Sequence, residues 1–422
     1  MNASTPQTLL VVGAGISGVT AALEAAEAGQ EVILVESEAS VGGRVIRNHH
    51  YFPKMCPPTC GMEINIQRLE HNPRVKVMTS TRVTQATRSD SGWQVRLTQA
   101  ARTINERCTA CGECSKVCKA TVPDPHNANM NEVSAVRLPH PAAWPAHFIL
   151  DREACSEEDL RAIVAACKYN AVDLDATEKE DTVEVSAVIL ATGWHPYAVE
   201  NLDQFGAGKI ADVIANVQME RLAAESGPTA GKILRPSNGE APKSVAFVQC
   251  AGSRDVNHLP YCSGICCLAS LKQAIYVKDQ LPECEVTIYY IDRRAPGRNE
   301  DLLTRVAGMD GVKLTKGKVG KVEAGTDGSL RLRLEDVEAG RLLTASADLV
   351  VLATGMVPHL KDGKMPFELK LDDDGFGLDD PDAKIFIAGV SRRPEDVASS
   401  VRDATGAAAK AMVASLSQQR SA

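Results

Sequence analysis

Cysteine is the residue type that stands out in this chain. Four cysteines fall within 18 residues of the stretch "QCAGSRDVNHLPYCSGICCL": Cys250, Cys262, Cys266 and Cys267, the last two adjacent. A second run, "CTACGECSKVC", sets Cys108, Cys111, Cys114 and Cys118 at C-x2-C-x2-C-x3-C. That spacing is the bacterial ferredoxin pattern, in which a short loop wraps three thiolates around one [4Fe–4S] cube and the fourth cysteine serves a different cluster. Lys119 follows the run where proline is usual. Further on, "CSEEDLRAIVAACKYNAVDLD" keeps Cys155 and Cys167 of an eroded second half. By the same logic Cys167 completes the cube of Cys108, Cys111 and Cys114, with Cys118 as the alternative fourth ligand. If Cys167 is the ligand, Cys118 and Cys155 are left as remnants of a lost site. Zinc is the rival occupant of such hooks.

In the 249–268 stretch a helix is expected from near Ser263, with Cys262 at its mouth and Cys266 one turn on, on the same face. Cys250 arrives from the end of the preceding strand. Four thiolates gathered at the positive end of a helix suit an iron–sulfur cluster. The plainer alternative is buried thiols packing against the helix. A third pair, Cys56 and Cys60 in "YFPKMCPPTCGMEI", could relay electrons, add a cluster ligand, or merely belong to a proline turn. The nine histidines show no paired metal spacing, and no carboxylate dyad or Ser-His-Asp arrangement stands out as catalytic.

These thiols must be held by an α/β framework. Residues 8–36 read as strand, glycine turn, alanine-rich helix and second strand, one βαβ unit. Gly13, Gly15 and Gly18 have the GxGxxG spacing, and Glu36 ends the next strand 18 residues past Gly18. Such glycines let the backbone approach a pyrophosphate at a helix N-terminus while the acid accepts from ribose hydroxyls. "GGR" at Gly42, Gly43 and Arg44 is the extension found in FAD-binding flavoproteins of the two-dinucleotide-domain type, so FAD is the expected cofactor. The candidate contacts are Gly13, Ala14, Gly15, Ile16, Ser17, Gly18, Glu36, Ser37, Gly42, Gly43, Arg44 and Val83. Two echoing "LATG" turns add Ala191, Thr192 and Gly193, then Thr354 and Gly355. The C-terminal "IFIAGVSRRPEDVASSV" adds Gly389, Pro394, Asp396, Val397 and Ser400, where a helix N-terminus would face the flavin ring. A second unit opens with "SVAFVQCAG" and runs on to "EVTIYYID". It has Cys250 where a glycine fingerprint would stand, which argues against NAD(P)H. Arg293 and Arg294 then read as a solvated loop.

The expected domain plan is an FAD-binding first part at 1–100 and an inserted ferredoxin-like segment at 101–180. A return strand and linker follow at 181–242, a second Rossmann-like domain at 243–346, and the C-terminal part of the FAD domain at 347–422. Its Gln/Ser-rich last residues read as a fraying end. The 422 residues are 44% hydrophobic and 24% charged with a formal net charge of −8, an ordinary α/β composition with no basic patch for nucleic acid. No apolar run reaches membrane-span length, and the N-terminus reads as a strand rather than a signal peptide. The expected location is the cytoplasm, where thirteen cysteines serve as ligands, redox groups or buried thiols rather than disulfides.

Together, "VVGAGISG", "VGGR", the ferredoxin-like interruption, "VAFVQCAGSRD", "PYCSGICC", "VTIYYIDRRAPG" and "IAGVSRRPEDVASSV" resemble HdrA, the family of heterodisulfide reductase A-subunits. The resemblance spans nearly the whole chain. It is closer to the short HdrA-like branches, those of quinone-interacting membrane-bound oxidoreductases (QmoA) and of sulfur oxidisers. It implies two interleaved dinucleotide-binding domains of the thioredoxin-reductase type, FAD, and a cluster on Cys250, Cys262, Cys266 and Cys267. It further implies electron transfer with iron–sulfur partner subunits in dissimilatory sulfur metabolism, membrane association through a partner, and a homodimer core. Members that bifurcate electrons carry extra ferredoxin-like domains, which this sequence does not show. Two other readings stay open: a pyridine-nucleotide disulfide oxidoreductase using Cys56 and Cys60, and a non-enzymatic FAD- and zinc-binding scaffold.

Overall fold

The computed structural model describes residues 8–89, 92–337 and 340–416, so the C-terminal residues 417–422 expected to fray lie outside it. The first unit is built on a five-stranded parallel sheet. Its strands run in the order Ile385–Ile387, Ala187–Leu190, Thr8–Val12, Glu31–Val35, Val75–Met78. Thr8–Val12 and Glu31–Val35 are apolar over four consecutive positions, as a strand covered on both faces requires. Helix α1 (Ile16–Glu27) connects them. A three-stranded antiparallel sheet, Thr81–Ser89, Gly92–Gln99 and Lys179–Val185, closes the other face with Trp93, Val95 and Leu97. The return strand expected after residue 181 divides at Ser186. There the chain leaves the antiparallel sheet and joins the parallel one, the Ser186 N–H donating to Thr8 O at 2.8 Å. Helix α2 (Pro58–His71) follows the "CPP" turn.

The inserted segment closes on itself. Ile104 bridges Val172, and the Asn105 N–H donates to Ala171 O at 2.9 Å. Between these ends lie helices α3 (Glu113–Val117) and α4 (Glu157–Ala166) over a small core of Ile104, Val136, Phe148, Ile163 and Ala171. So small a core leaves Cys108, Cys114, Cys118, Cys155 and Cys167 as much of its packing.

The second unit is a seven-stranded sheet. Its parallel part runs Val213–Ala215, Leu349–Thr354, Ser244–Ala251, Glu285–Tyr290, Val312–Ala324, and Leu330–Asp336 and Arg341–Ala347 extend it antiparallel. It carries helices α5 (Asn216–Ala223), α6 (Cys266–Gln280) and α7 (Glu300–Ala307). This differs from the domain plan at both ends: Val213–Ala215 and Leu349–Thr354 belong to this sheet, not to the FAD part. The reason is pairing, since Leu349–Thr354 runs beside Ser244–Ala251 and its six residues are all buried. The chain then returns through Ile385–Ile387 to helix α8 (Val397–Leu416). α8 packs beside α1, with Ala21, Ala22, Ala25, Ala404, Ala407, Ala408 and Ala411 in their shared core, and small side chains allow the close approach.

A buried polar node ties the units together. Lys272 on α6 sits 2.9 Å from the Glu220 carboxylate of α5, the two side chains 4% and 6% exposed. Lys272 Nζ also donates to His50 O at 2.6 Å, and the His49 N–H donates to Glu220 at 3.0 Å. The loop just past the "GGR" turn is thereby pinned to the second unit. Removing one partner of such a pair leaves an uncompensated buried charge, at a cost of about 3–5 kcal/mol. Lys272→Met should lower the thermal midpoint sharply, and adding Glu220→Gln should restore part of the loss. Equal midpoints for wild type and Lys272→Met would show that the node carries no weight.

Candidate functional site

The first glycine turn has the geometry of a nucleotide cradle. Gly13 lies against the Ala191 carbonyl and Gly18 against the Gly13 carbonyl, so closely that a Cβ on Gly18 would fall 1.7 Å from that oxygen. At Gly15 the nearest atom to such a Cβ is Gly43 Cα at 3.8 Å, which leaves open the face a pyrophosphate would use. Gly15 also caps α1 without a side-chain hydrogen bond, so the helix's first N–H groups stay free for an anion. Glu36 is buried. Its carboxylate accepts from the Ala14 N–H at 2.7 Å and from Ser37 and Glu38. Burial raises its pKa against those hydrogen bonds. Gly42 and Gly43 fold back on the turn, with Gly42 N–H donating to Ala14 O at 2.9 Å. Arg44 lies over the Trp194 ring at 4.7 Å, its pKa pushed down to about 10 by burial. Val83 is a core residue of the antiparallel sheet.

The C-terminal turn meets the same place. Gly389, at φ +64°, lies directly against Ser17 Oγ, and Ser400 packs nearby. Asp396 accepts from Ser399 N–H at 2.7 Å and so caps α8, a helix-starting role for a residue expected to face the flavin. Ala191, Thr192 and Gly193 join the two turns through Ser391, whose hydroxyl accepts from Gly193 N–H at 2.8 Å. The echo at Thr354 and Gly355 behaves differently. Thr354 lies beneath Cys266, whose thiol donates to its carbonyl at 3.6 Å, and Gly355 is hemmed in by Ser253 and Ser263. Both sit in the second unit because their strand does.

The cysteines at 250–267 come together, though not by the helical route. α6 begins at Cys266 with Ile265 as an N-cap that offers no side-chain bond, so Cys262 precedes the helix and the one-turn argument for 262 and 266 fails. Cys262 instead reaches the group through a loop in which its sulfur accepts from Gly264 N–H at 3.4 Å. Cys250 ends its strand in a left-handed conformation, φ 55°. Burial raises the thiols of Cys250, to about 11, and of Cys266 and Cys267, and the nearby Cys262 adds to the rise at each of the three. These three thiols are therefore protonated when free, and a bound metal centre would displace their protons. Among the described residues no group of three or more His, Cys, Asp or Glu side chains is spaced to hold a metal ion. A zinc ion needs sulfurs roughly 3.8 Å apart, set by Zn–S bonds of about 2.3 Å, whereas an iron–sulfur cube spreads its ligands more widely.

In the insert, Cys114 interacts with Cys108 and Cys111, while Cys155 interacts with Cys118. One carboxylate explains the second pair. Asp159 accepts from Lys119 N–H at 2.8 Å and from Ser156 N–H at 3.3 Å, which sets the preceding residues, Cys118 and Cys155, side by side. Cys167 packs on the same small core as Cys108 and Cys114. Cys56 and Cys60 both neighbour Tyr51, at the start of α2.

The cysteine loop is seated on the first unit. Ser263 Oγ accepts from Met356 N–H at 2.9 Å, Tyr261 OH donates to Met356 O at 2.7 Å, and a Cβ on Gly264 would lie 3.9 Å from Pro394 O. The loop thus approaches the turn that opens α8 at Gly264. Gln249, Cys267, Tyr290 and Arg294 line a small cavity of about 20 Å³. Arg293 and Arg294 are exposed, Arg294 near Asp292. Sequence reasoning passed over Ser391, Asn216, whose side-chain oxygen accepts from the Thr354 hydroxyl at 3.3 Å, and the pair His126 and His140. These histidines stack at 5.5 Å, and His140 meets Ser40 Oγ at 2.8 Å beside the "GGR" loop. Nothing in their spacing marked them, because the long-range fold assembles them. Gly18→Ala should strip flavin from the purified protein and lower its thermal midpoint. Gly406→Ala, on α8 with nothing within 4 Å, should leave flavin unchanged and add roughly 0.5–1 kcal/mol of stability. Equal flavin content in the Gly18→Ala protein and wild type would refute the cradle.

A family model for FAD dependent oxidoreductases matches residues 8–49. The chain is 34% identical to the A-subunit of the ferredoxin/F(420)H(2)-dependent CoB-CoM heterodisulfide reductase of Methanosarcina acetivorans, across 97% of this chain and 53% of that protein. It is 33% identical to the A-subunit of the H(2):CoB-CoM heterodisulfide,ferredoxin reductase of Methanothermobacter marburgensis, across 97% of this chain and 64% of that one. The chain thus spans about half to two thirds of the length of these relatives. Among solved structures, the T. acidophilum thioredoxin reductase superposes with a TM-score of 0.51 at 13% identity, covering 98% of both chains. Bacillithiol disulfide reductase from Bacillus cereus gives 0.53 at 13% identity, covering 97% of this chain and 98% of that one. The fold is that of the thioredoxin-reductase-like flavoproteins, and the chain belongs to the HdrA-like family of heterodisulfide reductase subunits, which are oxidoreductase components.

Proposed function

We propose that the chain is an FAD- and [4Fe–4S]-containing electron-transfer subunit that passes electrons between iron–sulfur partner proteins of a heterodisulfide reductase-like or Qmo-like complex in dissimilatory sulfur metabolism. One observation carries this reading: the loop that bears Cys262 and leads into Cys266 and Cys267 at the start of α6 approaches Pro394 through Gly264, at the turn where α8 opens. When bound, the flavin exchanges electrons in pairs and the clusters exchange them singly. Gly13 to Gly18, Glu36 and the Gly42–Arg44 turn would hold the dinucleotide. Cys250, Cys262, Cys266 and Cys267 would hold the cluster nearer the flavin, and Cys108, Cys111, Cys114 and Cys167 a second one facing a partner.

The uncapped N-termini of α1 and α6 supply partial positive charge to the pyrophosphate and the thiolates respectively. The second sheet carries Cys250 where a glycine fingerprint would stand, which favours a relay over a nicotinamide site. The partners, the homodimer core and the cytoplasmic location belong to the same proposal. Among the described residues no helix is long and apolar enough to cross a membrane.

Iron and flavin assays on anaerobically purified protein, with EPR after reduction, test the reading. About eight irons per FAD supports both clusters and about four supports one. Cys266→Ala should remove one cluster's signal and Cys111→Ala the other. Cys118→Ser and Cys155→Ser should leave iron unchanged, since those two thiols face each other. Flavin without iron after cluster reconstitution would overturn the relay and favour a disulfide oxidoreductase using Cys56 and Cys60.

A further inference from the structure

A cavity of about 540 Å³ opens where the second unit meets the C-terminal turn of the first. Gly264, Ile265 and Leu268 at the mouth of α6 form one wall, and the turn into α8 forms the other. Glu395 lines this cavity, and its side chain is only 5% exposed. One of its oxygens, Oε1, accepts from Arg393 Nε, whereas Oε2 is buried without a hydrogen-bond partner. A buried acceptor left unpaired costs about 1–3 kcal/mol, and such a group in a native fold calls for a role. Neither the flavin cradle nor the thiol groups use it.

Iron–sulfur clusters pass electrons without protons. A flavin that gains two electrons also gains at least one proton at its ring, so a cluster-fed flavin needs a proton carrier in the protein. We infer that Glu395 is that carrier, moving a proton between water in the cavity and the flavin end of α8. The inference rests on the flavin reading above. For each pair of electrons that an iron–sulfur donor would deliver singly to a bound flavin, one proton would leave the Glu395 carboxyl for the flavin ring. The carboxylate would then regain a proton from bulk solvent through cavity water. In the opposite direction the carboxylate accepts the proton and passes it out.

The charged surroundings suit this role. Burial raises the Glu395 carboxyl, Arg393 draws it down, and Asp403 and Asp396 push it up again. Arg402 and Lys410 line the cavity from α8, and the second unit contributes no charged side chain to its lining. Lys410 is paired with Asp379 at 2.8 Å and Arg402 donates to Ser399, so Arg393 is the cation bound to Glu395.

The test uses the full chain, purified anaerobically, with flavin per chain measured first. Redox-induced infrared difference spectra should show a protonated-carboxyl band that changes with flavin reduction in the wild type. That band should vanish in Glu395→Gln and shift in Glu395→Asp. Flavin reduction by reduced methyl viologen, followed by stopped flow, should slow roughly a hundredfold in Glu395→Gln and lose its pH dependence. Glu395→Asp should recover part of the rate. A flavin-loaded Glu395→Gln protein that keeps both the band and the pH profile overturns this inference alone. Protein that retains no flavin overturns the flavin reading and this inference together.

Discussion

Two short strands, Trp194–Pro196 and Met356–Pro358, carry the chain out of the five-stranded sheet and back from the seven-stranded one, and they pair antiparallel. Each follows a "LATG" turn, so each sheet delivers its strand end to the same joint. The pairing is reinforced on either side, by Tyr197 N–H donating to Gly355 O at 2.9 Å and His359 N–H donating to Gly193 O at 3.1 Å. Everything that makes a site here depends on this joint. It brings Ser263 onto Met356, and with it the cysteine loop onto the turn before α8. Were the two crossings unpaired, the flavin-type cradle and the thiols would belong to separate domains with no fixed separation. The Lys272–Glu220 node and the insert's hold on the "GGR" loop, through Val41 N–H to Trp144 O at 2.9 Å, fix the same geometry from two further sides.

The electrostatics of the thiols follows from that placement. Cys266 is buried at the foot of α6, and Cys250 is held where the strand ends, so burial favours the neutral thiol in both. The unfilled N-terminus of α6 and Arg254 act in the opposite sense, favouring negative charge at Cys250 and its neighbours. Arg254 is itself held by Asp292 at 2.8 Å, which keeps its charge directed at the loop. A set of thiols balanced between these effects holds protons when alone and releases them to a metal centre.

Much of this was legible in the sequence, and the exceptions have physical causes. The βαβ unit at 8–36 was legible because both strands are continuous apolar runs and the glycine turn has its own steric logic. The C-x2-C-x2-C spacing at 108–114 is a local property of a short loop, so it can be read without the fold. The allegiance of Leu349–Thr354 was not, since an apolar strand does not say which sheet it joins. That choice is made by register with Ser244–Ala251, a contact across about a hundred residues. The start of α6 was hidden for a related reason: Ser263 looks like an N-cap, but its hydroxyl is engaged by Met356. Ser391, Asn216 and Glu395 acquire their roles only from what the fold places opposite them.

The two units show how one architecture diverges through a single loop. In the first, residues 13–15 alone separate strand from helix, and the close contact of Gly18 with Gly13 holds the helix N-terminus at the strand end. That proximity is what a pyrophosphate needs. In the second, residues 252–265 intervene before α6 begins at Cys266. The longer loop cannot keep a bare helix end beside the strand. It folds down through Leu259 onto Gly252, whose carbonyl accepts from Leu259 N–H at 3.1 Å, and reaches the hinge strand through Tyr261 and Ser263. In doing so it carries Cys262 toward Cys250. The displaced helix start and the approach of Cys262 to Cys250 are therefore two consequences of one lengthened connection.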